Sequence, residues 1–296
     1  MPKTARPRRS VLYMPGSNVR ALEKAKTLLA DGLILDLEDA VAPDAKQQAR
    51  KQVCDAVKGG GYGMRELIIR VNGLATPWGY EDIAAASRSG CHALLLPKVE
   101  SADAIRHMEA IMRANGAPDD MAIWAMMETP RSVLASEQIA ASTPRMQCFV
   151  MGTSDLAKEL DCAHTRERLP FITSLGLCLL AARAYGLAIL DGVYLDLKDD
   201  AGFEFACLQG AEMGFDGKTL IHPNQLAVCN KVFTPRPEDV EWSRKIIAAH
   251  ADAAARGEGV AVVDGKLIEN LHVESAKRLV QMADAIEAMQ SAPAAA

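Results

Sequence analysis

No two of the seven cysteines form a C-x-x-C pair; they are scattered as Cys54, Cys91, Cys148, Cys162, Cys178, Cys207 and Cys229. That scatter excludes a disulfide framework and reads as reduced, buried small hydrophobes of a cytoplasmic protein. The six histidines contain no H-x-x-x-H pair and no Cys/His zinc spacing, which argues against a zinc site. Basic excess is missing too. Thirty-three Lys+Arg against 38 Asp+Glu leave a formal charge of -5, so nothing points to nucleic acid, and the one basic cluster, Lys3 to Arg9, is expected to be a solvated tail. No apolar run approaches the ~18 residues of a membrane span, and no apolar core follows the basic N-terminal residues as in a signal peptide. Finally, Pro15-Gly-Ser-Asn18 lacks the G-x-G-x-x-G spacing that a doubly wound open sheet would show after its first strand.

What is present is an ordinary globular composition, 49% hydrophobic and 24% charged, in a chain long enough to bury a sizeable core. Short apolar runs bounded by turn residues predict eight strands: Val11 to Met14, Gly32 to Glu38, Leu67 to Gly73, Ala93 to Lys98, Ala122 to Glu128, Met146 to Asp155, Ala188 to Tyr194 and Phe215 to His222. Helical stretches lie between them, among them Val19 to Ala30 with Leu22, Ala25 and Leu29 on one face, a helix capped by Ser101, one after Pro130, and Leu169 to Tyr185. Eight such alternations predict a (β/α)8 TIM-type barrel over residues 1–235. Residues 236–296 then form a C-terminal extension: a helix from Glu238 to Arg256, a hairpin turning at Asp264-Gly265, a helix begun by Asn270, and a frayed tail from Ser291. A barrel complete by residue 223 leaves that extension to act as a lid or to pack on a neighbouring subunit.

Strand-end loops of a barrel share one rim, so Glu38, Arg70, Lys98, Glu128, Asp155 and His222 are expected to face one cavity. Glu128 and Asp155, closing adjacent strands, suit a hard cation such as Mg2+, although strand-end capping or ion pairing explains the spacing equally well. Arg70 stands in an apolar strand, where a guanidinium needs an anion. Either it pairs with Asp36 or Glu38, or it forks a substrate carboxylate beside the metal, as a site for a 2-oxo acid would require. Asp36, Glu38 and Asp39 are too many acids for one ion, and Asp36 and Glu38 are expected to support Arg70 or Lys98 from behind. Lys98 and Lys218 are Schiff-base candidates by position, but beside crowded acids a lysine stays charged. Ser154 lies in Gly-Thr-Ser-Asp, which does not match a nucleophile elbow.

At this point the chain resembles a known family. Tyr13-Met-Pro-Gly-Ser17, Leu35-Asp-Leu-Glu-Asp-Ala-Val-Ala-Pro43, Arg70-Val-Asn-Gly73, Leu96-Pro-Lys98, Glu128-Thr-Pro130, Gly152-Thr-Ser-Asp155 and Ile221-His-Pro223 look like the motif series of the citrate lyase beta subunit and malyl-CoA lyase family, among the HpcH/HpaI aldolase-like barrels. The likeness runs from about Ser10 to Val280 in the same order. It implies a Mg2+-dependent lyase of CoA thioesters, with Glu128 and Asp155 as metal ligands and Arg70 on the carboxylate of the 2-oxo acid half. It also implies that Tyr13, Met14, Lys24, Ile221 and His222 contact substrate or the CoA phosphates. In the malyl-CoA lyase branch a hairpin ends on an acid that reaches an adjacent subunit's site, which implies a homo-oligomer, a trimer or hexamer. That acid falls on Glu269 here, where the branch usually has Asp.

The reaction so implied is retro-Claisen cleavage of a 3-hydroxyacyl-CoA such as malyl-CoA, β-methylmalyl-CoA or citramalyl-CoA into an acyl-CoA and a 2-oxo acid. Glu269 or a nearby acid would protonate the thioester enolate, and the extra methylene of Glu269 shifts that base by about 1 Å, enough to slow proton transfer. Three other outcomes fit the same residues: thioester hydrolysis, a citrate-lyase-type subunit that needs an acyl-carrier partner, and a non-catalytic CoA- or dicarboxylate-binding protein.

Overall fold

A computed structural model describes residues 6–291. Eight strands alternate with helices in its first part: β1 (Ser10–Pro15), α1 (Val19–Ala25), β2 (Gly32–Asp36), α2 (Lys46–Gly59), β3 (Glu66–Arg70), α3 (Gly79–Ala86) and β4 (Ala93–Leu96). Then come α4 (Ala102–Ala114), β5 (Ala122–Met127), α5 (Pro130–Leu134), α6 (Ser136–Ala140), β6 (Met146–Met151), α7 (Thr153–Glu159) and α8 (Leu169–Ala184). The series closes with β7 (Ala188–Asp191), α9 (Asp200–Met213), β8 (Gly217–Leu220) and α10 (Leu226–Phe233). Every neighbouring pair is parallel, and β1 pairs with both β2 and β8, so the sheet is a closed eight-stranded barrel. The expected (β/α)8 architecture is what the chain adopts.

Strand parity sorts the core into two layers. Val11, Ile34, Ile68, Leu95, Trp124, Met126, Val150 and Leu190 fill the lumen. Their strand neighbours, Leu12, Leu33, Leu35, Ile69, Leu94, Ile123 and Ile189 among them, pack outward against the helices. Both faces of each strand are therefore dry, which is why the strands read as unbroken apolar runs rather than alternating ones.

The basic N-terminal cluster is not all tail. Lys3 lies outside the described residues, but Arg8 donates from Nε and Nη2 to the Glu66 carboxylate at 2.6 and 2.9 Å and stacks over Trp124 at 5.1 Å. Arg9 is buried against Asp31 at 2.8 Å. These pairs close the end of the barrel opposite the rim. Gly217 is required there, since a Cβ on it would lie 1.9 Å from the Arg8 carbonyl oxygen. Two helices are shorter than their sequence patterns suggest. After Ala25 the chain tightens into i→i+3 bonds (Thr27 N–H to the Lys24 carbonyl, 3.1 Å), so Leu29 leaves the apolar face and is 76% exposed. The segment after Pro130 breaks at Ala135 into α5 and α6.

The chain divides into two compact units, residues 8–233 and residues 6–7 together with 234–291. In the second, α11 (Pro237–Ala255) and α12 (Asn270–Ser291) enclose a hairpin of β9 (Ala261–Val263) and β10 (Lys266–Ile268). Asp264 and Gly265 both take positive φ, 47° and 76°, the conformation of a two-residue type I′ turn. Ile246, Ala253, Ala261, Val263, Ile268 and Val273 form this unit's own core. The tail beyond Ser291 lies outside the described residues. No described helix is long and apolar enough to cross a membrane.

Candidate active site

The rim of the barrel gathers an unusual density of charge. Asp36, the last residue of β2, and Arg70, the last of β3, are register partners facing inward. Arg70 donates from Nε and Nη2 to the two Asp36 oxygens at 2.6 and 2.7 Å. Its Nη1 lies 2.8 Å from Glu38 Oε2 and 3.5 Å from Asp39, and the Tyr13 ring from β1 stacks on the guanidinium plane at 4.9 Å. Burial works against the charge, yet Asp36, Tyr13 and Glu38 hold Arg70 protonated well above its ordinary value. Of the two roles open to Arg70, the ion pair is thus present; it fixes the guanidinium at the rim without consuming every donor.

Glu128 follows β5 and is only 2% exposed. Its Oε1 accepts the Lys98 backbone N–H at 2.7 Å. Burial pushes its carboxyl up to about 8, helped by the negative charges of Glu38 and Asp155 and opposed by the Lys98 N–H and by Arg70. Asp155 does not close a strand. It sits in the first turn of α7, where an acid complements the helix N-terminus, and is near enough to act on both Glu128 and Lys98. A buried carboxylate raised this far, with a second acid beside it, fits a hard divalent cation: it is the charge imbalance such an ion relieves. Among the described residues no three His, Cys, Asp or Glu converge as a metal cage. A Mg2+ held by one or two carboxylates and completed by water and substrate needs no third.

Lys98 has a backbone φ of 50°, a conformation few non-glycine residues adopt. Its ammonium, with a side chain 55% exposed, lies 3.5 Å from Glu38 Oε1. Although burial opposes it, Glu38, Asp155, Asp39 and Glu128 keep it protonated above its ordinary value, which argues against a Schiff-base role. Lys218 is excluded on geometry. Parity on β8 turns it out of the lumen, into a buried pair with Asp191 at 2.7 Å, with Arg168 on the same carboxylate at 2.7 Å.

Parity also separates Tyr13 from Met14. The tyrosine faces the lumen, its hydroxyl donating to Met126 Sδ at 3.3 Å, while the Met14 side chain packs among the outward-facing residues, away from the lumen where a substrate contact was expected. Lys24 is exposed near the end of α1. Ile221 is partly exposed just past β8, and His222 accepts the Asn224 N–H on Nδ1, acting as a cap for the short turn that follows. Glu269 follows β10 in the second unit, exposed, with its N–H donating to His272 Nδ1 at 3.0 Å.

Gly152 stands in the Gly152-Thr-Ser-Asp155 motif, and the structure gives it a steric role that the motif alone does not reveal. A Cβ there would lie 2.4 Å from Glu128 Cβ and 2.5 Å from Glu128 Oε2. Only glycine lets the two strand ends approach, and a glycine directly after an apolar strand was the available signal. Gly152→Ala is expected to push Glu128 aside and lower kcat/KM by about 10²-fold, the cost of a roughly 1 Å misplacement. Steady-state kinetics across a Mg2+ titration would check this; an unchanged apparent metal affinity would show that Glu128 has room to move.

The HpcH/HpaI aldolase/citrate lyase family model matches residues 9–223. A (3S)-malyl-CoA thioesterase of Cereibacter sphaeroides is 48% identical over 291 residues, covering 98% of this chain and 100% of the relative. An L-malyl-CoA/beta-methylmalyl-CoA lyase of the same species is 34% identical over 308 residues, covering 96% and 97%. Among solved structures, the protein CitE of Mycobacterium tuberculosis in complex with magnesium, acetoacetate and coenzyme A is similar with a TM-score of 0.73 and 27% identity, over 93% of this chain and 97% of that one.

Proposed function

The chain belongs to the HpcH/HpaI aldolase/citrate lyase family, and from that premise we propose a Mg2+-dependent enzyme that hydrolyses a malyl-CoA-type thioester to the free hydroxy acid and CoA. The observation that carries the proposed site is the meeting of Arg70, Glu128, Asp155, Glu38 and Lys98 at one end of the barrel. An acyl group bearing both a carboxylate and a hydroxyl matches a guanidinium beside two cation-ready acids. The reaction is taken from the thioesterase relative, more similar over the whole chain than the lyase relative.

In this reading Glu128 and Asp155 would hold Mg2+, which when bound would supply Lewis-acid polarisation of the acyl group. Arg70, oriented by Asp36, receives the carboxylate, and Tyr13 covers the guanidinium face. Lys24 and the Ile221-His222 corner serve the CoA portion. Water adds to the thioester carbonyl carbon, the carbon–sulfur bond breaks, and the departing thiolate takes a proton. The second unit supports assembly: cross-strand partners Val262 and Leu267 are 68% and 56% exposed, an apolar hairpin face suited to a neighbouring subunit. We assign Glu269, beside that face, to the neighbour's site. There a glutamate in place of the usual aspartate is ill placed for proton transfer to carbon but can still take a proton from water.

Carbon–carbon cleavage is the second reading, favoured by the lyase relative. Incubation with malyl-CoA and Mg2+, followed by mass spectrometry, separates the two. Free CoA with malate and no glyoxylate is the expected outcome; acetyl-CoA with glyoxylate would establish the lyase. EDTA is expected to stop either, and turnover that survives chelation would remove the metal from the scheme. Tight binding without any turnover would favour a non-catalytic CoA-binding role.

A further inference from the structure

Asp36 and Glu38 both meet Arg70, but they are held very differently. Besides the two Arg70 donors, the Asp36 oxygens accept the backbone N–H groups of Glu38 at 2.9 Å and Ala40 at 3.0 Å. Four hydrogen bonds lock that carboxylate in place. Glu38 has no such anchor. Its Oε2 lies 2.8 Å from Arg70 Nη1 but off the N–H direction, so that it is buried without a hydrogen-bond donor. Its Oε1 reaches Lys98 Nζ only at 3.5 Å.

The loop beneath is nevertheless rigid. Lys46 Nζ donates to the Leu37 and Glu38 carbonyls at 2.9 and 2.8 Å, and Asn72 Nδ2 donates to the Leu37 carbonyl at 2.9 Å. A fixed main chain thus carries a loosely held carboxylate, and a buried oxygen without a donor is costly to keep where it is. With Asp36 on Nε and Nη2, the Nη1 edge is what Arg70 can offer an incoming acid, and Glu38 stands on that edge.

Resting on the assignment of Arg70 to the acid end of the substrate, we infer that Glu38 is a specificity-determining residue: it holds the place on Arg70 that a substrate carboxylate takes, and turns onto Lys98 when one binds. The 3.5 Å gap to the Lys98 ammonium is short enough to close by side-chain rotation. An acyl group without a carboxylate displaces nothing and leaves the edge of Arg70 shut. The site therefore selects thioesters whose acyl group ends in an acid, at the expense of some affinity for all of them.

Calorimetry with glyoxylate and Mg2+ on the full chain tests this. Glu38→Gln keeps the side-chain shape and removes the competing charge, so the Kd for glyoxylate is expected to fall about tenfold. Loss of a merely structural support would raise it instead. An unchanged or higher Kd in a variant with the wild-type circular dichroism spectrum overturns the inference. So does a crystal structure of the wild-type protein with Mg2+ and glyoxylate in which Glu38 Oε2 still lies against Arg70 Nη1. Arg70→Lys distinguishes this idea from the reading beneath it. If glyoxylate binding is indifferent to that change, Arg70 does not receive the acid and both fall. If Arg70→Lys weakens binding while Glu38→Gln does not tighten it, only the role of Glu38 falls.

Discussion

Glu128→Gln is expected to cut turnover by about 10³-fold or more, the several kcal/mol that a metal-held charge contributes to a reaction barrier, while making the metal-free protein more stable. The two effects have one cause. Glu128 is 2% exposed, with Glu38 and Asp155 adding negative charge around it. Without a cation its ionised form is penalised by burial and by repulsion. A glutamine keeps the shape, and its carbonyl oxygen can still accept the Lys98 N–H that Oε1 accepts at 2.7 Å. The gain is on the order of 1–2 kcal/mol, or roughly 2 to 5 °C in Tm.

The pH dependence fixes the sign. A carboxyl whose folded value lies above its unfolded one binds more protons folded than unfolded, so stability falls as pH rises between the two. For Glu128 that window runs from the ordinary 4.5 to about 8. The stability advantage of Glu128→Gln in EDTA should therefore be small near pH 4.5, widen to about pH 8, and shrink or reverse when Mg2+ is added to the wild type alone. Thermal melts at several pH values, with and without EDTA, measure this. A variant that loses activity and stability together would place Glu128 in the scaffold rather than at the metal.

The barrel was legible because buried parallel strands leave an unmistakable trace: Gly32 to Asp36 or Ala122 to Met127, apolar throughout and ended by an acid and a turn. The hairpin at Asp264-Gly265 was legible for a similar reason, since few residue pairs tolerate two positive φ angles in succession. What escaped was direction. A one-residue shift on a strand moves a side chain from lumen to helix layer, and nothing in the local sequence says which parity Met14 or Lys218 takes. Charge in the interior was equally hard to place. Arg8 and Arg9 looked like tail because their partners, Glu66 and Asp31, are distant in sequence and only the pairing of β1, β2 and β3 brings them together. Asp155 read as the end of a strand because a helix begins two residues before it, at Thr153, without any change in composition.

The cost of that parity is what Asp191→Asn should reveal. Asp191 is fully buried on the helix-facing side of β7, taking Lys218 Nζ at 2.7 Å, Arg168 Nη1 at 2.7 Å and the Gly192 N–H at 2.9 Å. Burial favours its protonated form, but Lys218 and Arg168 outweigh that and hold the carboxyl below its ordinary range. Such a group contributes stability at neutral pH that is lost as pH falls through its folded value. Asparagine leaves two cations in a dry layer with no opposing charge, a loss of about 3–5 kcal/mol and roughly 10 °C in Tm. Lys218→Met removes one cation and leaves the Arg168–Asp191 pair, so its loss of stability should be smaller. Because Lys218 points away from the lumen, that variant assayed at 20 °C should keep kcat within about threefold, whereas a lysine that forms a covalent adduct with substrate could not be dispensed with. A folded Lys218→Met protein without turnover would mean that the helix-facing side of β8 takes part in the chemistry after all.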